Sequence, residues 1–302
     1  MSRFTTGQRN RIWRIGSLLP AALILVLLSI YPVFNLIDLS LSEVTWSGGQ
    51  SSSSYVGLDN YHTLFTDEPV YWAGVRNTIV FALTAVALQM VLGFSMALSV
   101  QRLSGISRAV LTTIFLLPIV IPPIVIGAMW RLLLGREFGM VNQLLGAVGI
   151  PPIDFLGNGD IALLSVIAVD VWHWTPFVFL LLLTGLESLD EEVFDAARFD
   201  VTSGWQRLRY ITLPLMMPTF LITLGLRLIL SFKVFDEIYL LTGGGPGTAT
   251  EVINFSIYRT FFTQDKTGLG SAMSVVTLVA VAVLIVIVNG AIRMRRKREV
   301  NG

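Results

Sequence analysis

The sequence predicts an all-α integral membrane protein with six transmembrane helices. Three observations carry that reading. The 302 residues are 54% hydrophobic and only 14% charged, against about 25% charged in soluble domains. Six apolar runs of about 18 residues or more are each long enough to cross a bilayer. The basic residues are gathered in alternate loops and at both ends, as the positive-inside rule requires.

Residues 1–14 form a basic N-terminal segment with Arg3, Arg9, Arg11 and Arg14. The first run, 15–36, is too long for the apolar core of a signal peptide. Its Tyr31-Pro32 and Asn35 do not resemble a small-residue cleavage site. The outer loop 38–74 has no Lys or Arg but holds Asp38, Glu43, Asp59, Asp67 and Glu68. Within it, residues 47–54 read SGGQSSSS, the composition of a flexible linker. Residues 58–65, LDNYHTLF, read as a stretch that packs down on the membrane surface.

The second run is 77–100. A short loop, 101–108, follows with Arg102 and Arg108. The third run, 109–134, contains Pro118, Pro122 and Pro123. Proline removes a backbone donor and kinks a helix, so this span is expected inside a bundle, where neighbours or water satisfy the freed carbonyls. The outer loop 135–160 carries Gly146, Gly149 and Pro151-Pro152 as turn residues. The fourth run, 161–186, has Pro176, and the fifth, 211–232, has Pro214 and Pro218. Between them the loop 187–210 holds Arg198, Arg207 and Arg209. The sixth run is 271–292, followed by a basic tail, 293–302, with Arg293, Arg295, Arg296, Lys297 and Arg298. Both ends therefore read as cytosolic, with one transmembrane domain over 15–292. The tail also has the composition of a lipid-binding patch, but topology alone accounts for it. No cysteine is present, which excludes disulfides and thiolate metal sites. The net charge of +1 gives no indication of nucleic acid, and none is expected.

The loop 187–210 is the most elaborate segment on the cytosolic side. Ser188 and Glu191 fit a capping box, and Asp190, Glu191 and Glu192 suit the first turn of a helix. Val193, Phe194, Ala197 and Val201 follow at helical spacing and form an apolar face. Gly204 can turn the chain before Trp205, Leu208 and Ile211 lead into the fifth run. A short helix across the cytosolic mouth, tied to a membrane helix, can either seal the bundle or transmit a push.

Residues 195–218 read DAARFDVTSGWQRLRYITLPLMMP. They resemble the EAA loop of permease subunits in binding-protein-dependent ABC importers, whose pattern is roughly E-A-A-x-x-D-G-A followed by I-x-L-P. Asp195, Ala196, Ala197, Asp200, Ile211, Leu213 and Pro214 carry the likeness. The chain departs from it at Asp195, where the family has Glu, and at Val201-Thr202, where it has Gly-Ala. Residues 237–246, EIYLLTGGGP, and 56–61, VGLDNY, resemble the carbohydrate-uptake branch of these permeases.

The resemblance implies a type I importer permease fold with a short coupling helix, in a bacterial cytoplasmic (inner) membrane. It implies a second permease subunit, two cytosolic ATPase subunits and an extracytoplasmic sugar-binding protein, all within membrane lipid. Asp195, Ala196, Ala197, Asp200, Gly204 and Trp205 are then the ATPase-coupling residues. ATP and Mg would be held by the ATPase subunits, with no cofactor in this chain and no catalysis by it. The chain's own residues agree, since Gly243-Gly244-Gly245-Pro246-Gly247 lacks the Lys of a phosphate loop.

Polar groups within spans are candidate sites. The resemblance assigns the stretch after the fifth run to the central pathway, which makes Lys233, Asp236 and Tyr239 candidate substrate-path residues. A salt bridge of Lys233 with Asp236 or Glu237 is an equally open reading. Ser271 and Ser274, at the start of the sixth run, are further candidates, with close helix packing as their alternative. Asp170 and His173, at i and i+3, are expected to satisfy one another on one face of the fourth span. No metal site is expected from two histidines. The competing functions are a stand-alone secondary carrier or channel for a small polar solute, which calls for inverted repeats, and a membrane enzyme, which calls for a converging catalytic set.

Overall fold

The computed structural model describes residues 6–47, 50–190 and 203–301. The chain divides into two units. One comprises Met1–Glu68 with Ile257–Leu278, the other Pro69–Ser256 with Val279–Gly302.

In the first unit, helix α1 (Thr6–Ser40) is long and apolar enough over Gly16–Ser40 to cross a membrane. It is followed by an antiparallel hairpin, β1 (Ser42–Ser47) and β2 (Gln50–Tyr55), in which Ser42 faces Tyr55 and Ser47 faces Gln50. The serine-rich stretch expected to be a linker is therefore half of a ladder. Backbone pairing needs no apolar side chains, and the Thr45 and Ser52 hydroxyls meet across the strands at 2.7 Å. Helix α2 (Asp59–Thr66) follows. Its Asn60 Nδ2 donates to the carbonyls of Ser40 and Ser42, each at 3.0 Å, and the Tyr61 hydroxyl meets Ser40 Oγ at 2.8 Å. These bonds explain the VGLDNY motif: its Asn and Tyr tie the hairpin base to the end of α1.

In the second unit, α3 (Pro69–Gln101) and α7 (Ala162–Glu187) run along one another more extensively than any other pair, and α9 (Leu213–Ser231) packs on both. Glycine permits the approach. A Cβ on Gly93 would stand 2.8 Å from Val178 Cγ1, and one on Gly185 would stand 2.6 Å from Thr219 Cγ2. Below these contacts Ala97, Val100, Val178, Phe179, Leu182, Leu186 and Met216 form a buried apolar cluster. Small residues at such interfaces are what membrane helices use to pack closely.

Five described helices are long and apolar enough to cross a membrane, and a sixth crossing exists if one bent pair counts as a single span. That pair corrects the third expected span. Residues 109–134 are not one helix but α4 (Gly105–Val120) and α5 (Pro123–Leu133), bent by 93°. Ile121 and Pro122 are extended, with ψ 127° and 141°, because a residue before proline is pushed out of the α region. Pro123 then opens α5, where its missing donor costs nothing. Burial within this chain is uneven along the span: no described residue of α4 is buried, while Ile126 and Gly127 of α5 are.

The 135–160 loop holds a helix, α6 (Met140–Ala147), with Gly146 inside it rather than at a turn, while Gly149 turns the chain at φ +82°. The fifth span starts earlier than expected, at Gly204, through α8 (Gly204–Arg207) and a π-helical turn (Leu208–Thr212) into α9. Beyond it lie α10 (Asp236–Leu241), α11 (Ile253–Tyr258), a second π turn (Arg259–Thr263) and α12 (Thr267–Asn301).

Candidate functional site

Four of the expected coupling residues, Asp195, Ala196, Ala197 and Asp200, lie outside the described residues, as does Glu191 of the expected capping box. Ser188 instead closes α7, its Oγ donating to the Gly185 carbonyl at 2.7 Å. Gly204 and Trp205 are described. A capping box the sequence reading passed over sits there: Ser203 Oγ accepts from the Gln206 amide at 3.2 Å, and Gln206 Oε1 accepts from the Ser203 amide. It starts a new helix rather than ending one, so Gly204 is the first helical residue of the fifth span. Trp205 is 66% exposed. It borders an open cleft of about 380 Å³ with Gln101, Arg102 and Arg207.

The centre of the same unit holds a buried polar cluster. Arg227 Nη2 donates to both oxygens of Asp170, at 2.9 and 2.7 Å, and its Nε donates to Gln89 Oε1 at 2.8 Å. Gln89 Nε2 donates back to Asp170 Oδ2 at 2.8 Å and to the Asp170 carbonyl at 3.1 Å. The guanidinium also lies 4.9 Å from the ring centre of Trp174. Gln89, Asp170 and Arg227 are at most 2% exposed. An isolated charge here would be very costly, and pairing it with an opposite charge and an amide is how a fold tolerates one. Asp170 and His173 do not satisfy one another as expected. The partner of Asp170 comes from α9, and His173 Nδ1 stands 3.4 Å from Glu237 of α10. On α9, Thr223 and Ser231, four residues either side of Arg227, are buried as well.

At the far end of the fifth span the candidate path residues separate. Lys233, Asp236 and Tyr239 are exposed, and neither Asp236 nor Glu237 is within ion-pair distance of Lys233 among the described residues. Partial burial, and then neighbouring Glu237, hold the Asp236 carboxyl above the usual carboxylate range. Tyr239 stacks on Phe235, with ring centres 5.5 Å apart. The glycine-rich loop beyond is a folded turn, tied by Asn77 of α3. Asn77 Nδ2 donates to the carbonyls of Thr248 at 2.8 Å and Glu251 at 3.0 Å. Gly244, at φ +83°, is required there because a Cβ would stand 2.6 Å from Glu251 Oε2. In the other unit, Ser271 is fully buried with no hydrogen-bond partner for its Oγ among the described residues, and Ser274 Oγ donates to the Gly270 carbonyl at 2.8 Å.

Residues 89–299 match the family described as the binding-protein-dependent transport system inner membrane component. The chain belongs to that family. It is 35% identical over 299 residues to the trehalose/maltose transport system permease protein of Thermococcus litoralis, covering 98% of this chain and 99% of that one. It is 32% identical over 281 residues to the trehalose transport system permease protein of Mycobacterium tuberculosis, covering 92% and 89%. Its fold matches a chain of a bacterial alginate ABC transporter solved in complex with an alginate pentasaccharide-bound periplasmic protein. There the TM-score is 0.81 at 23% identity, covering 93% of this chain and 94% of the other. The protein has the fold of an ABC importer permease.

Two members of the permease's buried ring, Gln89 and Arg227, escaped the sequence reading. The signal was present: Arg227 is the one charged residue of the run 211–232, and an ion inside a span is a candidate by default. Pairing Asp170 within its own helix removed the reason to look for it.

Proposed function

We propose that this chain is one of two permease subunits of an ATP-driven importer that carries a sugar or sugar derivative across the cytoplasmic membrane. The observation that carries the reading is kinship along the whole chain, 35% identity over 98% of its length, with a permease of a trehalose/maltose transport system. The other permease subunit is proposed to be a different chain. A sugar-loaded binding protein docks outside, and two ATPase subunits dock at the cytosolic face. ATP and Mg reside in the ATPase subunits. The placement of Arg3, Arg9, Arg11, Arg14 and the basic tail supports cytosolic termini.

On this reading Asp195, Ala196, Ala197 and Asp200, with Gly204 and Trp205, form the contact with an ATPase subunit. Closure of the ATPases pulls on that contact. The capping box at Ser203 and the continuous helix from Gly204 pass the pull into the fifth span. Lys233, Asp236 and Tyr239, with Ser271 and Ser274, are proposed to border the sugar path. An exposed ring beside hydrogen-bonding groups is suited to a sugar's apolar face and hydroxyls.

The test is purification of the tagged chain from its native membrane, followed by reconstitution and uptake of labelled trehalose and maltose. The expected result is a retained ATPase, a second permease and ATP-dependent uptake of one or both sugars. Ala197→Arg and Asp200→Arg should lose the ATPase and the uptake while remaining in the membrane. Uptake by the chain alone, driven by an ion gradient, would overturn the proposal.

A further inference from the structure

We infer that Gln89, Asp170 and Arg227 act as positioning residues, a buried clasp that makes α3, α7 and α9 move as one body during transport. Each helix contributes one member, so the ring cannot stay closed if any of the three slides or rotates. Arg227 is bound at both its Nε and its Nη2, by two different helices. Gln89 bridges the other two members, accepting from Arg227 and donating to Asp170. Lipid provides no hydrophobic drive between helices, so interhelical hydrogen bonds and close packing decide which helices stay together. Both devices occur on the same three helices. Gly93 sets α3 against Val178 and Phe179 of α7, and Gly185 sets α7 against Thr219 of α9.

The bent pair α4–α5 has no part in the ring. Its polar tie to α7 is the surface pair of Arg108 with Glu187, whose side chains are 40% and 38% exposed; its other contacts with α7 are apolar, Phe115 edge-on to Phe179 and Trp130 edge-on to Trp172. A push entering at Gly204 therefore travels up α9 and carries α3 and α7 with it, while α4, held to α7 by packing and one surface pair, has no buried hydrogen bond that obliges it to follow among the described residues. Asp170 and Arg227 are closed off from the candidate path by their burial, so their contribution is to hold the helices rather than to touch cargo.

The inference rests on the permease reading only for the assembly in which it is tested. Because the chain has no cysteine, nitroxide labels can be placed on it in pairs before assembly with no background from this chain. One pair joins Ser99 on α3 to Leu215 on α9, and another joins Thr184 on α7 to Leu215. Distances are read by pulsed electron resonance in the complete complex in nanodiscs, with and without a non-hydrolysable ATP analogue and Mg. In the native background both distributions should be narrow and unmoved by nucleotide.

Gln89→Met keeps the Asp170–Arg227 pair and removes only the bond to α3. It should broaden or split the Ser99–Leu215 distribution while Thr184–Leu215 stays narrow, and ATP hydrolysis without cargo should rise. Gln89→Glu removes the donor to Asp170 and sets a second carboxylate 2.8 Å from it, so it should broaden the same distance rather than restore it. Unchanged distances in Gln89→Met would overturn the clasp, as would equal broadening of both pairs or a change confined to trehalose affinity. Absence of an ATPase from the complex would count against the proposed function and leave the resting distances readable.

Discussion

Two arginine–carboxylate pairs join helices of this permease in opposite surroundings. Asp170 and Arg227 are almost fully buried, with the third partner Gln89 completing their bonding. Arg108 and Glu187 stand in the open, linking the start of α4 to the end of α7. The dry pair is expensive to break because one charge is left without a partner or water. The wet pair loses little, since water takes each partner's place. The comparison separates two ties of different strength, with no difference in the chemistry of the pair itself, and at the weaker one the packing of Phe115 on Phe179 adds to the hold.

The sharpest way to break the comparison is Asp170→Leu, which strands the Arg227 guanidinium. It should cost about 3–5 kcal/mol, read as a fall in thermal unfolding temperature of the purified complex. Adding Arg227→Met should return most of that loss. If the double variant melts no higher than the single one, the buried pair is not the source of the effect. Gly185→Val comes next, because its new Cβ would crowd Thr219 Cγ2. Overpacking of this kind costs about 1–3 kcal/mol, and a melt unchanged from the native one would show that α7 and α9 are not tightly held.

Asn60→Leu tests a tie of intermediate exposure. Losing both 3.0 Å bonds should cost about 1–2 kcal/mol, seen as faster proteolysis of the 42–66 segment. Arg108→Gln should be the smallest change, below about 1 kcal/mol and erased by high salt. A larger loss, insensitive to salt, would remove the distinction between the two pairs.

The sequence was most legible where a segment's character is uniform. The fourth span was expected at 161–186 and is found as Ala162–Glu187, because an unbroken apolar run leaves few choices for its ends. The serine-rich stretch was misread because its strand is specified by pairing with β1, not by its own composition. The two halves of the third span were legible as prolines but not as an angle, since the bend depends on what each half packs against. Asp170 was recognised as important and given the wrong partner. Its true neighbours lie 81 and 57 positions away, beyond the reach of spacing arguments. Among the coupling residues, Gly204 and Trp205 could be placed at a helix start, while Asp195 to Asp200 rest on likeness alone.

The order of the ring's members along the chain has a consequence for biogenesis. When Asp170 leaves the ribosome, Gln89 has already been made, but Arg227 is still 57 residues away. At about 5–20 residues per second, that is a delay of roughly 3–11 s. During this interval, of the two side chains that bond Asp170 in the folded ring, only Gln89 has been made. A chain lacking Gln89 would pass that interval with neither side-chain partner of Asp170 in place.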